Sequence, residues 1–456
     1  MLSFRALAVG AFTLTMAWLP ASAYAQSLTQ ALTSAYTNNP DLQASFLAVK
    51  SAAEDIALRQ AGKRPTIGAS LGSNYQWTTA GSEWNDSTSV TAGIQYNQTI
   101  FDNFQTDAHI EQARALAELS KYTMRNTEQN VLLSVVDAYM SVVRDTQLVQ
   151  LRQDNVTFYQ AQLQSSRDRL EVGEGTRIDV AQAEARLAQG VASHRAAVAS
   201  LQTSQATYQR FVGQRPGNLN ASHSYSNLVP PSIDEALAQA EARHPAILSA
   251  KASIRAAQAG SDAAQAAFGP TINLTGQVGT GLQWSSNAQQ LQGAQGISGS
   301  VGLSLSVPIY AGGSMGAGVR KANIEQIRSE VTAMSAYDQV RQAVVSSWSG
   351  LQNASAQIES ANAAVAAQQQ VVEGVIQERD LGASTTLDVL DAQAELTTQR
   401  EGLIQATTSR VVATFSLLAA TGRLSAIDLG LPVEIKSADD YTATVQDVWQ
   451  ELRTVD

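Results

Sequence analysis

The chain has 456 residues, of which only 15% are charged and 6% aromatic, with 10 prolines and no cysteine, an unusual makeup for the two or three globular domains its length allows. The absence of cysteine excludes disulfides, thiolate metal sites and a lipid-modified N-terminal cysteine. A formal charge of −10 argues against a general nucleic-acid binder, and the abundant Ala, Gln, Ser, Thr and Gly suit a neutral wall wetted on one side.

Residues 1–25 read as a secretory signal. Arg5 precedes an apolar run over 6–19, and Ala23-Tyr24-Ala25 supplies an A-x-A cleavage site before Gln26. An uncleaved anchor is the alternative, although the run is short for a bilayer span. Cleavage removes Arg5 and leaves 29 basic and 40 acidic residues, a net charge of −11.

A first unit is expected over 26–213. After a short helical segment, strands are expected at about 66–79 and 88–101. Ile67, Leu71, Tyr75 and Trp77 alternate with small or polar residues, as do Val90, Ala92, Ile94 and Tyr96, which is the period of a strand with unlike faces. Gly81, Asn85 and Asp86 mark the turn between them. No proline follows until Pro216, so two long helices are expected, at about 104–171 and 177–211, with a tip near 172–180. A helix of about 65 residues reaches about 100 Å.

The segment 214–231, rich in Asn, Ser and Pro, reads as a joint, and a second unit follows over 232–422. Pro40 and Pro65 recur as Pro245 and Pro270, and the tip Gly173, Thr176, Asp179 and Val180 recurs as Gly382, Thr385, Asp388 and Val389. This is one structural unit written twice. Its strands are expected at about 271–285 and 297–310, where Val301, Leu303, Leu305 and Val307 alternate with Ser and Gly. Its tip is expected near 381–391. The glycine-rich run from Gly312 to Gly318 lacks the ending of a phosphate loop and reads as a flexible strand-to-helix junction. The tail 423–456, with Tyr441 and Trp449, reads as an outer belt or mobile end.

Alternation alone fits a soluble sheet as well as a membrane barrel, but Tyr75, Trp77, Tyr96, Trp284 and Tyr310 near segment ends resemble interfacial aromatic girdles. Four strands cannot close in lipid, and closed membrane barrels need about eight or more. Copies of the chain must then share one barrel. The histidines His109, His194, His223 and His244 are scattered, and no catalytic or metal motif is present, so no enzyme and no cofactor is expected.

A strand hairpin, a long helix, a Val-Gly-x-x-Thr-type tip and a returning helix, written twice behind a signal sequence, resemble the TolC family of outer-membrane efflux channels. The resemblance covers about 27–422. It implies an α+β membrane protein, a homotrimer with a twelve-stranded outer-membrane β-barrel to which each chain gives four strands, continued by a long periplasmic α-helical barrel. It implies as partners outer-membrane lipid, a periplasmic membrane-fusion adaptor and an inner-membrane pump, of RND type with ABC type as the alternative.

The segment Leu387-Asp388-Val389-Leu390-Asp391 resembles the family's acidic ring at the periplasmic entrance. Asp388 and Asp391 are three apart, hence on one helix face. Asp179 aligns with a family acid that helps hold the entrance shut, but at the tyrosine and arginine positions of that latch this chain has Arg379 and Ser384. The expected substitute is a pair between Asp179 and Arg379 or Arg177. Adaptor docking is expected at the tips, through Gly173, Gly175, Thr176, Gly382 and Thr385. The implied activity is passive exit of drugs, dyes, detergents or other toxic compounds. The alternatives are a protein-secretion duct of the same architecture and a structural or adhesive coiled-coil protein of the envelope.

Overall fold

The computed structural model describes residues 26–81, 83–220, 225–285 and 296–446. The expected leader at 1–25 and Trp449 lie outside these residues.

The chain starts with two short helices, α1 (Leu28–Asn38) and α2 (Pro40–Gln60). Ser27 and Gln30 form a reciprocal capping box that starts α1, and Asn39 caps α2 with Pro40 at its first position, where a missing N–H costs nothing. Leu28, Ala31, Leu32, Ala35 and Tyr36 bury one face of α1. Strands β1 (Thr66–Ala80) and β2 (Glu83–Phe101) lead into α3 (Gln105–Glu171), which returns as α4 (Arg177–Val212). The succession then recurs as α5 (Ile233–Arg243), α6 (Pro245–Ala266), β3 (Thr271–Ser285), β4 (Gly296–Ser306), α7 (Ser314–Asp380) and α8 (Thr386–Ala420). A short α9 (Asp439–Gln446) closes the described chain. Both α3 and α7 have 67 residues, so each extends about 100 Å, far beyond the width of a globular core.

The four strands form one antiparallel sheet in the order β1-β2-β3-β4. Its register gathers Ala69, Ile94 and Val278 into one row across the sheet and pairs Leu274 with Leu303 and Ile272 with Leu305. Among the described residues nothing covers that face: Leu71 is 81% and Val301 84% exposed. Among the described residues, the outer edges of β1 and β4 have no strand beside them. Trp77 and Trp84 stack at 5.4 Å near the hairpin end.

Three local expectations are corrected. Ala80 pairs with Glu83, with Gly81 at φ +66°, so the reversal is tighter than expected. Asn85 and Asp86 are not turn residues but ladder residues, opposite Thr78 and Trp77. β4 ends at Ser306 rather than 310, because Pro308 has no N–H to give the ladder. The glycine-rich run is only partly a junction: Gly312 (φ +62°) and Gly313 (φ +83°) make the bend, and α7 is already helical from Ser314. The matching bend before α3 uses Asn103 (φ 56°) and Phe104 (φ 66°), an uncommon conformation for non-glycine residues. There the Asn103 amide donates to the Ala266 carbonyl at 3.0 Å and Phe101 packs edge-on to Phe104, contacts that offset the strain.

The main core lies midway along the long helices, where α1, the centre of α3, and the ends of α4 and α8 enclose Tyr139, Tyr208, Phe415 and Leu418. The buried Tyr139 hydroxyl donates to the Gln26 carbonyl at 2.7 Å and accepts the Asn220 N–H at 2.9 Å, tying the start of the described chain to the joint between the two successions. The segment after α8 is a strap across α2 and α3. The Ala426 N–H donates to the buried Glu128 carboxylate at 2.7 Å, the Lys436 N–H to the Tyr36 hydroxyl at 3.0 Å, and Lys121 pairs with Asp439 at 2.8 Å.

Candidate functional site at the helical tips

At the end remote from the sheet, each long helix turns back through a short tip. Val172 closes α3, Gly173 takes φ +84°, and the Glu174 and Gly175 N–H groups donate to the Arg169 carbonyl at 2.8 and 3.0 Å. A Cβ on Gly175 would stand 3.1 Å from the Leu170 nitrogen, a tight approach that a side chain could make only if the turn opened by a few tenths of an ångström. The second tip uses Gly382 at φ +81°, and the Ala383 N–H donates to the Glu378 carbonyl at 2.8 Å. Ser384 replaces the second glycine there, and its hydroxyl donates to the Glu378 carboxylate at 2.8 Å.

The two returning helices start alike. Thr176 accepts the Asp179 N–H at 3.2 Å, while the Asp179 carboxylate accepts the Thr176 N–H at 2.9 Å and its hydroxyl at 2.7 Å. Thr385 and Asp388 repeat this box at 3.2, 2.8 and 2.6 Å. The repeated Thr and Asp are therefore helix caps in the first instance. Two donors from Thr385 favour the charged carboxylate and hold Asp388 below the usual aspartate range, although it is fully exposed.

The structure separates the remaining sequence candidates. Arg379 is nearly buried; its guanidinium donates to Asp380 at 2.7 Å and to the Gln162 amide oxygen on α3 at 2.6 Å. Within the protomer and among the described residues, neither Arg379 nor Arg177 forms an ion pair with Asp179. Asp391 does not stand free beside Asp388, because Arg186 of α4 forms an ion pair with it. Gly173, Gly175, Thr176, Gly382 and Thr385 all lie in or beside the two tips.

Sequence reasoning missed Arg186 and the polar seam it belongs to. The hairpin α3–α4 meets the hairpin α7–α8 through Arg186 with Asp391, Gln162 with Arg379, Asn155 with Gln393 at 3.4 Å, and Arg152 with Glu401. Between these polar contacts Tyr159, Leu163, Ala183 and Leu390 form an apolar cluster that fixes α3, α4 and α8 together. The signal for Arg186 was available: it lies four residues after Gln182, the counterpart of Asp391, and so on the same helix face. Among the described residues no group of three or more acidic or histidine side chains could hold a metal ion.

The family model described as "Outer membrane efflux protein" matches the chain twice, over residues 31–214 and 236–423. The chain is 38% identical over 440 residues to the outer membrane efflux protein BepC of Brucella suis biovar 1 (strain 1330), covering 95% of this chain and 94% of that one. It is 26% identical over 417 residues to the outer membrane protein TolC of Escherichia coli (strain K12), covering 89% and 84%. Among solved structures, the fold is that of the CmeC outer membrane channel of Campylobacter jejuni, with a TM-score of 0.78 at 15% identity over 92% of this chain and 90% of that one.

Proposed function

The chain belongs to the outer membrane efflux protein family, and we propose that three copies of it close a twelve-stranded barrel in the outer membrane and a helical tunnel across the periplasm. It is an outer-membrane channel of an efflux system, not an enzyme, and it works with an inner-membrane pump and an adaptor. The tunnel gives drugs, dyes, detergents or other toxic compounds a passive exit from the pump. The observation that carries this reading is the open four-stranded sheet which, among the described residues, has an uncovered apolar face and two unpaired edges and is continuous with helices about 100 Å long. Lipid tolerates such a face but not such edges, so the edges of β1 and β4 pair with neighbouring copies.

The recurring order of elements, matched twice by one family model, supports an origin by duplication. We assign the tips to the periplasmic entrance, where Asp388 and Asp391 of three copies surround the axis and the adaptor docks on Gly173, Gly175, Thr176, Gly382 and Thr385. An RND-type pump is the proposed partner. Within one copy Asp179 accepts from its own cap and Arg379 donates to Gln162 and Asp380, so the polar seam between hairpins joins the pairing of Asp179 with Arg177 or Arg379 of a neighbouring copy as a candidate closing contact.

The test is single-channel conductance of the detergent-purified protein in a planar bilayer, with subunit number measured by mass. A conducting trimer supports the proposal; a monomer without conductance overturns it. Cross-linking from cysteines placed at Thr176 and Thr385 to a co-expressed adaptor tests the docking assignment, and loss of every adduct would refute it.

A further inference from the structure

We infer that Arg186 sets the charge selectivity of the tunnel entrance by neutralising one of the two entrance carboxylates in each copy. This rests on the proposed placement of Asp388 and Asp391 at the entrance. The two acids share a helix face but have different partners. Asp388 is engaged by Thr385, through a hydroxyl and an N–H that carry no net charge, so its full negative charge remains and it stays ionised into the acid range. Asp391 is engaged by Arg186, which brings a full positive charge across from the other hairpin.

Arg186 is placed for this role by its surroundings. Its second terminal nitrogen lies 3.4 Å from the Gln189 amide oxygen, a neutral acceptor one turn along α4. The nearby acid on the same helix, Glu184, is taken by Arg167 at 2.8 Å and does not compete for Arg186. With Arg186 only about one-third exposed, its charge is held at Asp391 rather than dispersed in solvent. Three copies would then carry three net negative charges at the ring instead of six. The field on a passing ion falls accordingly, most steeply for multivalent cations, since attraction scales with the product of charges.

The experiment compares native protein with Arg186→Gln, Arg186→Lys, Arg186→Gln with Asp391→Asn, and Asp388→Asn, in planar bilayers. The readouts are the cation-to-anion permeability ratio and block by lanthanum(III) added at the tip side. Asparagine at 388 retains an oxygen for the Thr385 cap, so the arm reads charge rather than helix loss. Arg186→Gln should raise the permeability ratio and tighten block on the order of tenfold at moderate salt, a size set by Coulomb attraction reduced by screening. Adding Asp391→Asn should return both to near native values, and Arg186→Lys should leave both unchanged because it keeps the charge while losing the planar fork. Weaker block in Asp388→Asn together with unchanged block in Arg186→Gln overturns the role of Arg186. Unchanged block in both overturns the entrance assignment itself. A Lys variant that behaves like Gln would show that the arginine acts through packing and would also refute the inference.

Discussion

Replacing His244 by Asn should remove a pH-sensitive helix start. His244 is the N-cap of α6, and its Nδ1 accepts the Ala246 N–H at 3.2 Å. A neutral imidazole accepts at that nitrogen, whereas an imidazolium has no lone pair there. Burial holds the His244 pKa below its ordinary value of 6.5. Above 6.5 the ring is neutral in both folded and unfolded chain, and pH has no effect through it. As pH falls through 6.5 the unfolded state binds a proton that the folded state refuses, so stability is lost until pH reaches the depressed folded value. Below that value the cap itself is gone. A lost N-cap costs about 0.5–2 kcal/mol. The earlier equivalent of this cap is Asn39, whose Oδ1 accepts from Asp41 and Leu42 at 2.9 and 3.3 Å, so asparagine is already fitted to a start followed by proline. Hydrogen exchange of the first-turn amides of α6, at about pH 7.5 and 5.5 with intrinsic rates corrected, should show opening free energy falling by about 1 kcal/mol in the native protein and staying level in His244→Asn. An equal slope in both proteins would refute the assignment of that slope to His244.

Gly422 lies at φ +75°, and a Cβ there would come within 2.9 Å of the His244 Cα, so Gly422→Ala should cost about 1–3 kcal/mol, read as a lower Tm in detergent; an unchanged Tm contradicts the close approach. Leu390 is fully buried against Tyr159, Leu163 and Ala183, and Leu390→Ala should cost about 2–5 kcal/mol locally, with faster hydrogen exchange in both tips. Protection that persists around Leu163 and Ala183 would show that this cluster does not hold the tips. Burial raises the Glu128 pKa above 4.5, so its contribution is fully present below 4.5 and is lost as pH rises through the folded value. Glu128→Gln keeps an acceptor for the Ala426 N–H and should flatten that slope in hydrogen exchange of the strap between about pH 4.5 and 8; a slope that survives the substitution assigns it elsewhere.

Helix positions were legible because their signals are local. Ser27, Pro40, Thr176, Ser232, Pro245 and Thr385 each mark a start within one residue, and the glycines after Glu171 and Asp380 mark two of the ends. Hairpin ends were less legible. Asn85 and Asp86 have turn chemistry, yet opposite Thr78 and Trp77 they extend the ladder, because cross-strand partners outweigh intrinsic turn preference. The bend at Asn103 and Phe104 was illegible, since no local rule favours positive φ at phenylalanine and the contacts that hold it come from α6 and the preceding strand.

The tip shows the same division. Sequence by itself determined that two hairpins with the same glycine, threonine and aspartate exist, that four alternating strands leave unpaired edges, and that the helices are too long for a globule. Turn geometry, capping and strand period each depend on residues within a few positions of one another, which a linear reading contains. Only the tertiary structure decided which charges meet. It took Arg379 to Gln162 on α3 and brought Arg186 to Asp391 across 205 positions of chain. An ion pair depends on how two helices are rotated and staggered against each other, and that is settled by the packing of Tyr159, Leu163, Ala183 and Leu390 between them.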